Sequence, residues 1–270
     1  MLGAIAGDIA GSRFEWNNYK GKDIELYTER CHPTDDSVMT LAIARALIGH
    51  EQGEGETAAL AVKYMQQLGR RYPGAGYGRH FFGWILTDRP VPYGSFGNGA
   101  AMRVSACGWA GRTVEEVIAL SRAVTGVTHD HRESFKAAEA VSLAIFFART
   151  GCSKADIETF IRSRYYPKIF TLDDIRPSYT FDVSCRGSVP QAFEAFYEST
   201  DFEDALKNAI SIGGDSDTIA AITGSIAEAY YGIPASVREK VRAYLDTFEL
   251  GILDRFEALY GTAKEEPERH

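Results

Sequence analysis

The chain has 270 residues, of which 45% are hydrophobic and 24% charged, enough apolar material for one sizeable globular core. A formal net charge of −8 and a pI near 5.3 argue against an extended nucleic-acid surface, which needs clustered Lys and Arg, but allow a small anion held by backbone N–H groups. Cys31, Cys107, Cys152 and Cys185 are scattered without a CxxC pair, so neither a zinc knuckle nor a disulfide framework is signalled.

The N-terminal stretch "MLGAIAGDIAGSRFE" is apolar but lacks a basic start and is interrupted by Asp8, so it reads as a helix and not as a signal peptide. With no run approaching the ~20 apolar residues of a membrane helix, the expectation is no membrane partner and a cytoplasmic location. Gly3, Gly7 and Gly11 fall on one face of this first helix, a costly pattern that implies close approach of another backbone. Residues 36–48, 137–148 and 218–231 are apolar on every side and belong at the centre of a helical protein. Amphipathic helices are expected at 57–68, 114–124, 153–163, 190–198, 202–211 and 235–247. Segments 70–99 and 165–190 read as long working loops, and "SYTFDVS" (178–184) is the best strand pattern in the chain. The expectation is one all-α domain over residues 1–262, a monomer, with a frayed tail at 263–270.

Two short acidic clusters open two of the central helices. "TDD" supplies Thr34, Asp35 and Asp36; "DSDT", roughly 180 residues later, supplies Asp215, Asp217 and Thr218. Either cluster alone reads as a helix cap, with side-chain oxygens accepting from the first free N–H groups. Together they would bring four carboxylates to a low-dielectric core, where their repulsion is relieved by divalent cations. Asp and Thr oxygens are hard ligands suited to Mg²⁺, Mn²⁺ or Ca²⁺, and a pair of octahedral ions is the natural occupancy. Glu15, about two helical turns beyond Asp8, reads on spacing alone as a solvated helix end. The turn "FGNGAAMR" offers backbone N–H groups as a diphosphate cradle, a weak signal by itself. In "VTHDHRES", His129 is either a ligand contact or a cap before the next helix; zinc binding lacks a matching set of partners.

These motifs, "GAIAGDIAGSRFE", "TDDSVMT", "GNGAAMR", "VTH" and "GGDSDTIAAITGSIAEAYYG", occur in the order characteristic of the ADP-ribosylglycohydrolase family, which the chain resembles from residue 1 to about residue 233. The resemblance implies a single orthogonal all-α domain with two Mg²⁺ or Mn²⁺ ions at the base of a cleft. It makes Thr34, Asp35, Asp36, Asp215, Asp217 and Thr218 the metal ligands and places Glu15 beside the scissile bond. It assigns Asn98, Gly99, Ala100 and Met102 to the diphosphate and adjacent ribose, and His129 to the phosphates. It also makes "CRGSVPQ" (185–191) a further wall of the cleft.

The implied reaction is hydrolysis of the bond that joins C1 of the distal ribose of ADP-ribose to a modified acceptor, with positive charge building on the ribose ring as the acceptor departs. Glu15 or Asp36 would carry the proton, a choice the residues leave open. Two competitors are a non-catalytic ADP-ribose-binding relative and a dimetal phosphohydrolase. A prenyl-diphosphate enzyme is disfavoured, because "DDSVM" has Met39 where the DDxxD motif needs an acid.

Overall fold

The computed structural model describes residues 1–261, so the expected tail at 263–270 lies outside the described residues. In chain order the helices are α1 (Leu2–Ser12), α2 (Asp35–Glu51), α3 (Thr57–Arg71), α4 (Arg79–Leu86), α5 (Gly99–Met102), α6 (Ser105–Ala110), α7 (Val114–Thr125) and α8 (Arg132–Arg149). They continue with α9 (Lys154–Arg164), α10 (Leu172–Ile175), α11 (Cys185–Tyr197), α12 (Phe202–Ser211), α13 (Ser216–Tyr231), α14 (Ala235–Arg242) and α15 (Thr247–Tyr260). The fold is all-α, with no strand among the described residues.

The helices with apolar residues all round lie inside, as their patterning requires. Every residue of α1 is buried, and α13 is buried from Ser216 to Ala229. α12 and α11 cover α13, α3 and α15 cover α2, and α6 and α7 cover α8. The glycine stripe of α1 packs against α13: a Cβ at Gly3 would overlap the Gly224 carbonyl, and one at Gly7 the Ala220 carbonyl. At Gly11 it would meet the Asp217 backbone, so the stripe sets how closely the two acidic helix starts approach α1.

Four expectations are corrected. Segment 178–184 forms no strand: it leaves a turn in which Ser178 and Tyr179 N–H donate to the Ile175 carbonyl, and its only partner is the turn at 96–98. Asn98 N–H donates to the Val183 carbonyl (2.8 Å), Cys185 N–H to the Phe96 carbonyl (3.0 Å), and a single bridge joins Gly97 to Ser184. The helix expected from residue 190 begins at Cys185, where the Ser184 hydroxyl caps it by accepting from Gly187 N–H (3.0 Å), and it carries Pro190 inside. The loops at 70–99 and 165–190 contain α4 and α10. The helix expected over 235–247 stops at Arg242, and α15 follows from a capping box formed by Asp246 and Glu249.

Candidate active site

The start of α2 is held from α1. Asp8, fully buried, accepts from Thr34 N–H (2.9 Å), the Thr34 hydroxyl (2.6 Å), Ser37 N–H (3.0 Å) and the Ser37 hydroxyl. Thr34 is itself the cap residue, accepting from Asp36 N–H at 3.3 Å. With Asp35 N–H donating to the Ala75 carbonyl (2.7 Å), the capping demand of α2 is met by Ala75, Thr34 and Asp8, which leaves the carboxylates of Asp35 and Asp36 free of it. Asp36 accepts from the Thr218 hydroxyl (3.2 Å) through Oδ2, while its Oδ1 is buried with no hydrogen-bond partner.

The start of α13 is different. Asp215 stands in the cap position but makes no side-chain cap bond; its Oδ2 accepts from the Asn98 amide (2.6 Å) instead. That amide also donates to the Ser188 hydroxyl at 2.9 Å. Asp217 Oδ1 accepts from Thr218 N–H at 2.9 Å. Glu15 follows the end of α1 in a turn, half-buried, and not on a continued helix two turns past Asp8.

These side chains converge. Carboxylate oxygens of Asp8, Asp36 and Asp217 lie within 4.8 Å of one another, and so do those of Glu15, Asp215 and Asp217. Asp217 is common to both groups. Burial pushes every one of these carboxyls up from its usual range, and neighbouring negative charges add to the effect at Glu15, Asp35, Asp36 and Asp217. Glu15 is raised to about 7, by burial first and then by Asp215 and Asp8; Asp35 is raised to about 8, by burial, Asp8 and Asp215. Hard oxygen donors, mutual repulsion and an orphan buried oxygen on Asp36 together fit divalent cations. Asp35 lines the cleft beside Gly76 but belongs to neither close group, and Thr34 lies behind the wall with its hydroxyl committed to Asp8.

The cleft above them has a volume of about 450 Å³, in the range of small-molecule sites. Along one wall run Asn98, Gly99 and Met102 with His129. Ala100 is fully buried behind them. The turn offers fewer free amides than its sequence suggests. Asn98 N–H bonds to Val183, Ala100 N–H to the Gly97 carbonyl (3.2 Å) and Met102 N–H to the Asn98 carbonyl (3.1 Å), which leaves Gly99 N–H unengaged. His129 is buried and held neutral, its pKa driven well below the ordinary range by burial and by Arg103. His131 turns away and caps α8, accepting from Glu133 N–H at 3.1 Å, which leaves no histidine pair for zinc.

Three residues here carry no sequence pattern of their own. Asp8 appears only as a break in an apolar run, and Arg103 as a basic residue after a small helix. Trp16, 80% exposed, stacks on Phe181 (ring centroids 5.1 Å apart) at the rim beside Glu15. Phe181 and Val183 supply the wall that 185–191 was expected to form; those residues are instead helical and do not line the cleft.

The sequence profile of the ADP-ribosylglycohydrolase family matches residues 1–266, and the chain belongs to that family. By class it is therefore a hydrolase acting on ADP-ribose linkages. ADP-ribosylhydrolase ARH3 of Homo sapiens is 24% identical over 326 aligned positions, spanning 92% of this chain and 89% of the relative. ARH3 of Xenopus tropicalis is also 24% identical, over 93% and 92%. A solved structure described as an ADP-ribosylglycohydrolase-related protein complex superposes with a TM-score of 0.65 at 23% identity, over 97% of both chains, and shares the fold. Among the described residues no helix is long and apolar enough to cross a membrane.

Proposed function

We propose that the protein is a metal-dependent ADP-ribosyl hydrolase that frees ADP-ribose from a modified acceptor by cleaving the bond at C1 of the distal ribose. The observation that carries this reading is the convergence of Glu15, Asp36, Asp215 and Asp217 on the floor of one cleft, with Asp8 buried behind Asp36 and one oxygen of Asp36 buried and unpartnered. Asp36, Asp215, Asp217 and the Thr218 hydroxyl would hold a pair of Mg²⁺ or Mn²⁺ ions, with Asp35 at the edge of the group. Such ions, when bound, lower the pKa of water and orient sugar hydroxyls.

The chain's own groups divide the remaining work. Asp8 and Thr34 fix the start of α2, and with it the direction of Asp36. Asn98 orients Asp215 through its amide, so its side chain serves the floor of the cleft and not the diphosphate. Glu15 stands on the open side of the cluster, whereas Asp36 is sealed at its floor. That difference in access supports Glu15 as the group that exchanges a proton at the scissile bond, with Asp36 as a holder. Gly99 N–H and His129 lie along the wall where the diphosphate would run, at the far end from the acceptor. Trp16 and Phe181 line the rim where the acceptor would leave.

The test is to incubate the protein with Mg²⁺ and a panel of defined ADP-ribosyl linkages and to measure free ADP-ribose. Release from at least one linkage, abolished by a chelator, is expected. ADP-ribose binding without any release would make it a binding-only relative, and absence of both would sink the reading.

A further inference from the structure

Among the described residues Arg103 is the largest fully buried side chain that carries a charge, and it lies in the wall of the cleft. No carboxylate is among its hydrogen-bond partners. Its Nη2 donates to the Thr128 hydroxyl (2.7 Å) and toward His129 Nδ1 (3.4 Å), and Thr128 Oγ1 lies 2.7 Å from that same Nδ1. A guanidinium only donates, so a lone pair of Thr128 Oγ1 and one on Nδ1 must both face it. The Thr128 hydroxyl proton is then free to point at Nδ1, whose single lone pair takes that bond at 2.7 Å and shares it with the longer Arg103 contact.

We infer that Arg103, acting directly and through Thr128, is a positioning residue that locks His129 in the tautomer with its proton on Nε2. A neutral imidazole has one N–H, and with Nδ1 accepting it must be Nε2–H. Nε2 faces the Gly97–Gly99 turn, where a Cβ built on Gly99 would stand 3.4 Å from it and one on Gly97 3.7 Å. The absence of side chains at these two positions leaves the Nε2–H next to the free N–H of Gly99. Two donors without a formal charge on either thus face the same part of the cleft, backed by a buried cation. This arrangement recognises an anionic oxygen such as that of a diphosphate. The last step rests on the proposed function, which runs the diphosphate along this wall; the tautomer does not.

Two measurements on the full chain separate the two. Nitrogen-15 spectra of the histidines in the ligand-free protein read the tautomer directly. His129 should show a protonated Nε2 and an unprotonated Nδ1. Arg103→Met removes the donor, so that Thr128 can accept from Nδ1–H, and the spectrum should change to a mixture of tautomers. Arg103→Lys, which keeps a donor, should retain the parent tautomer. Thr128→Val supplies a second test if Arg103→Met does not fold. It leaves only the longer Arg103 contact on Nδ1, and it should admit the Nδ1–H form in part. ADP-ribose affinity should fall about tenfold in the variants that lose the tautomer, the worth of one hydrogen bond to a charged oxygen. The loss should appear in KM and hardly in kcat. A parent protein with Nδ1–H on His129 overturns the inference, as does a fixed Nε2–H in both Arg103→Met and Thr128→Val. A tautomer that changes as expected with unaltered ADP-ribose affinity upholds the relay and removes the diphosphate from this wall.

Discussion

At the start of α2 every capping requirement is served from within the protein: the Ala75 carbonyl accepts from Asp35 N–H, Thr34 caps locally, and Asp8 accepts four hydrogen bonds from Thr34 and Ser37. At the start of α13 the cap position is filled by Asp215, yet its carboxylate turns away from the helix to Asn98. The two motifs look alike in sequence. They differ in who meets the demand of the helix N-terminus, and at Asp36 and Asp215 the result is the same: carboxylates released from capping and aimed at one point, beside Asp217, whose Oδ1 still accepts from Thr218 N–H. An acidic residue at a helix start is a cap until its hydrogen bonds are counted. At Asp36 and Asp215 the count points to the cleft.

The strongest way to break the comparison is to neutralise the residue common to both sides. Asp217 belongs to each of the close carboxylate groups, so Asp217→Asn should abolish Mg²⁺ or Mn²⁺ binding by calorimetry and reduce turnover to background, as chelation should in the parent. Retained metal binding in Asp217→Asn would show that the two helix starts do not form one site. Next in size is Glu15→Gln. The amide keeps the shape but cannot accept a proton, so turnover should fall by roughly 10²- to 10⁴-fold while ADP-ribose affinity stays within a few-fold. A variant that hydrolyses at the parent rate leaves Asp36 as the proton carrier.

Stability separates the support of α2 from the carboxylates that face the cleft, in opposite directions. Asp8→Ala strands four donors at α2 and should cost about 2–4 kcal/mol in urea unfolding of the metal-free protein. Asp35→Asn and Asp217→Asn relieve repulsion and should leave the metal-free protein no less stable than the parent. The pH dependence follows the same logic. Asp35 is raised to about 8 in the fold, and Asp36 and Asp217 are raised too, while the same groups in the unfolded chain ionise near the ordinary carboxylate range. Between those limits the native state binds more protons than the unfolded one, so the metal-free protein should lose stability as pH rises from about 4 to about 8. Melting curves in a chelator should show this decline. Asp217→Asn should flatten it, and a parent that gains stability across the window would overturn the pKa assignment.

Much of this is legible in the sequence. All-round apolar helices mark the centre, the Gly3–Gly7–Gly11 stripe predicts the close approach of another backbone, which α13 supplies, and the order of motifs points to the family. What stayed hidden has physical reasons. Asp8 works through partners 26 and 29 residues away, and a lone acid in an apolar helix carries no periodic signal. Arg103 acts on Thr128 and His129, which lie on a separate segment. α4 is short and set among Gly, Pro and aromatic residues that read as loop, although Phe81, Trp84 and Ile85 bury one face of it. α15 does carry its capping box in the sequence, but the preceding amphipathic pattern runs past the turn that separates it from α14.

The smallest expected effect lies at the other end of the cleft and serves as a control on both helix starts. Gly99→Val puts a branched side chain where even a Cβ would stand 3.4 Å from His129 Nε2 and 4.0 Å from the Met102 sulfur. The backbone there is an ordinary helical start, so the fold should tolerate the change, but the space beside the free amide and the imidazole would be filled. ADP-ribose affinity should fall about tenfold, the loss of one hydrogen bond to a charged group. Metal affinity should be unchanged, because no carboxylate of the floor touches Gly99 among the described contacts. Parallel titrations with Mg²⁺ and with ADP-ribose decide it. Equal loss of both would mean that the turn is a structural support of Asp215, transmitted through Asn98, and that the cleft cannot be divided into a carboxylate end and a diphosphate end.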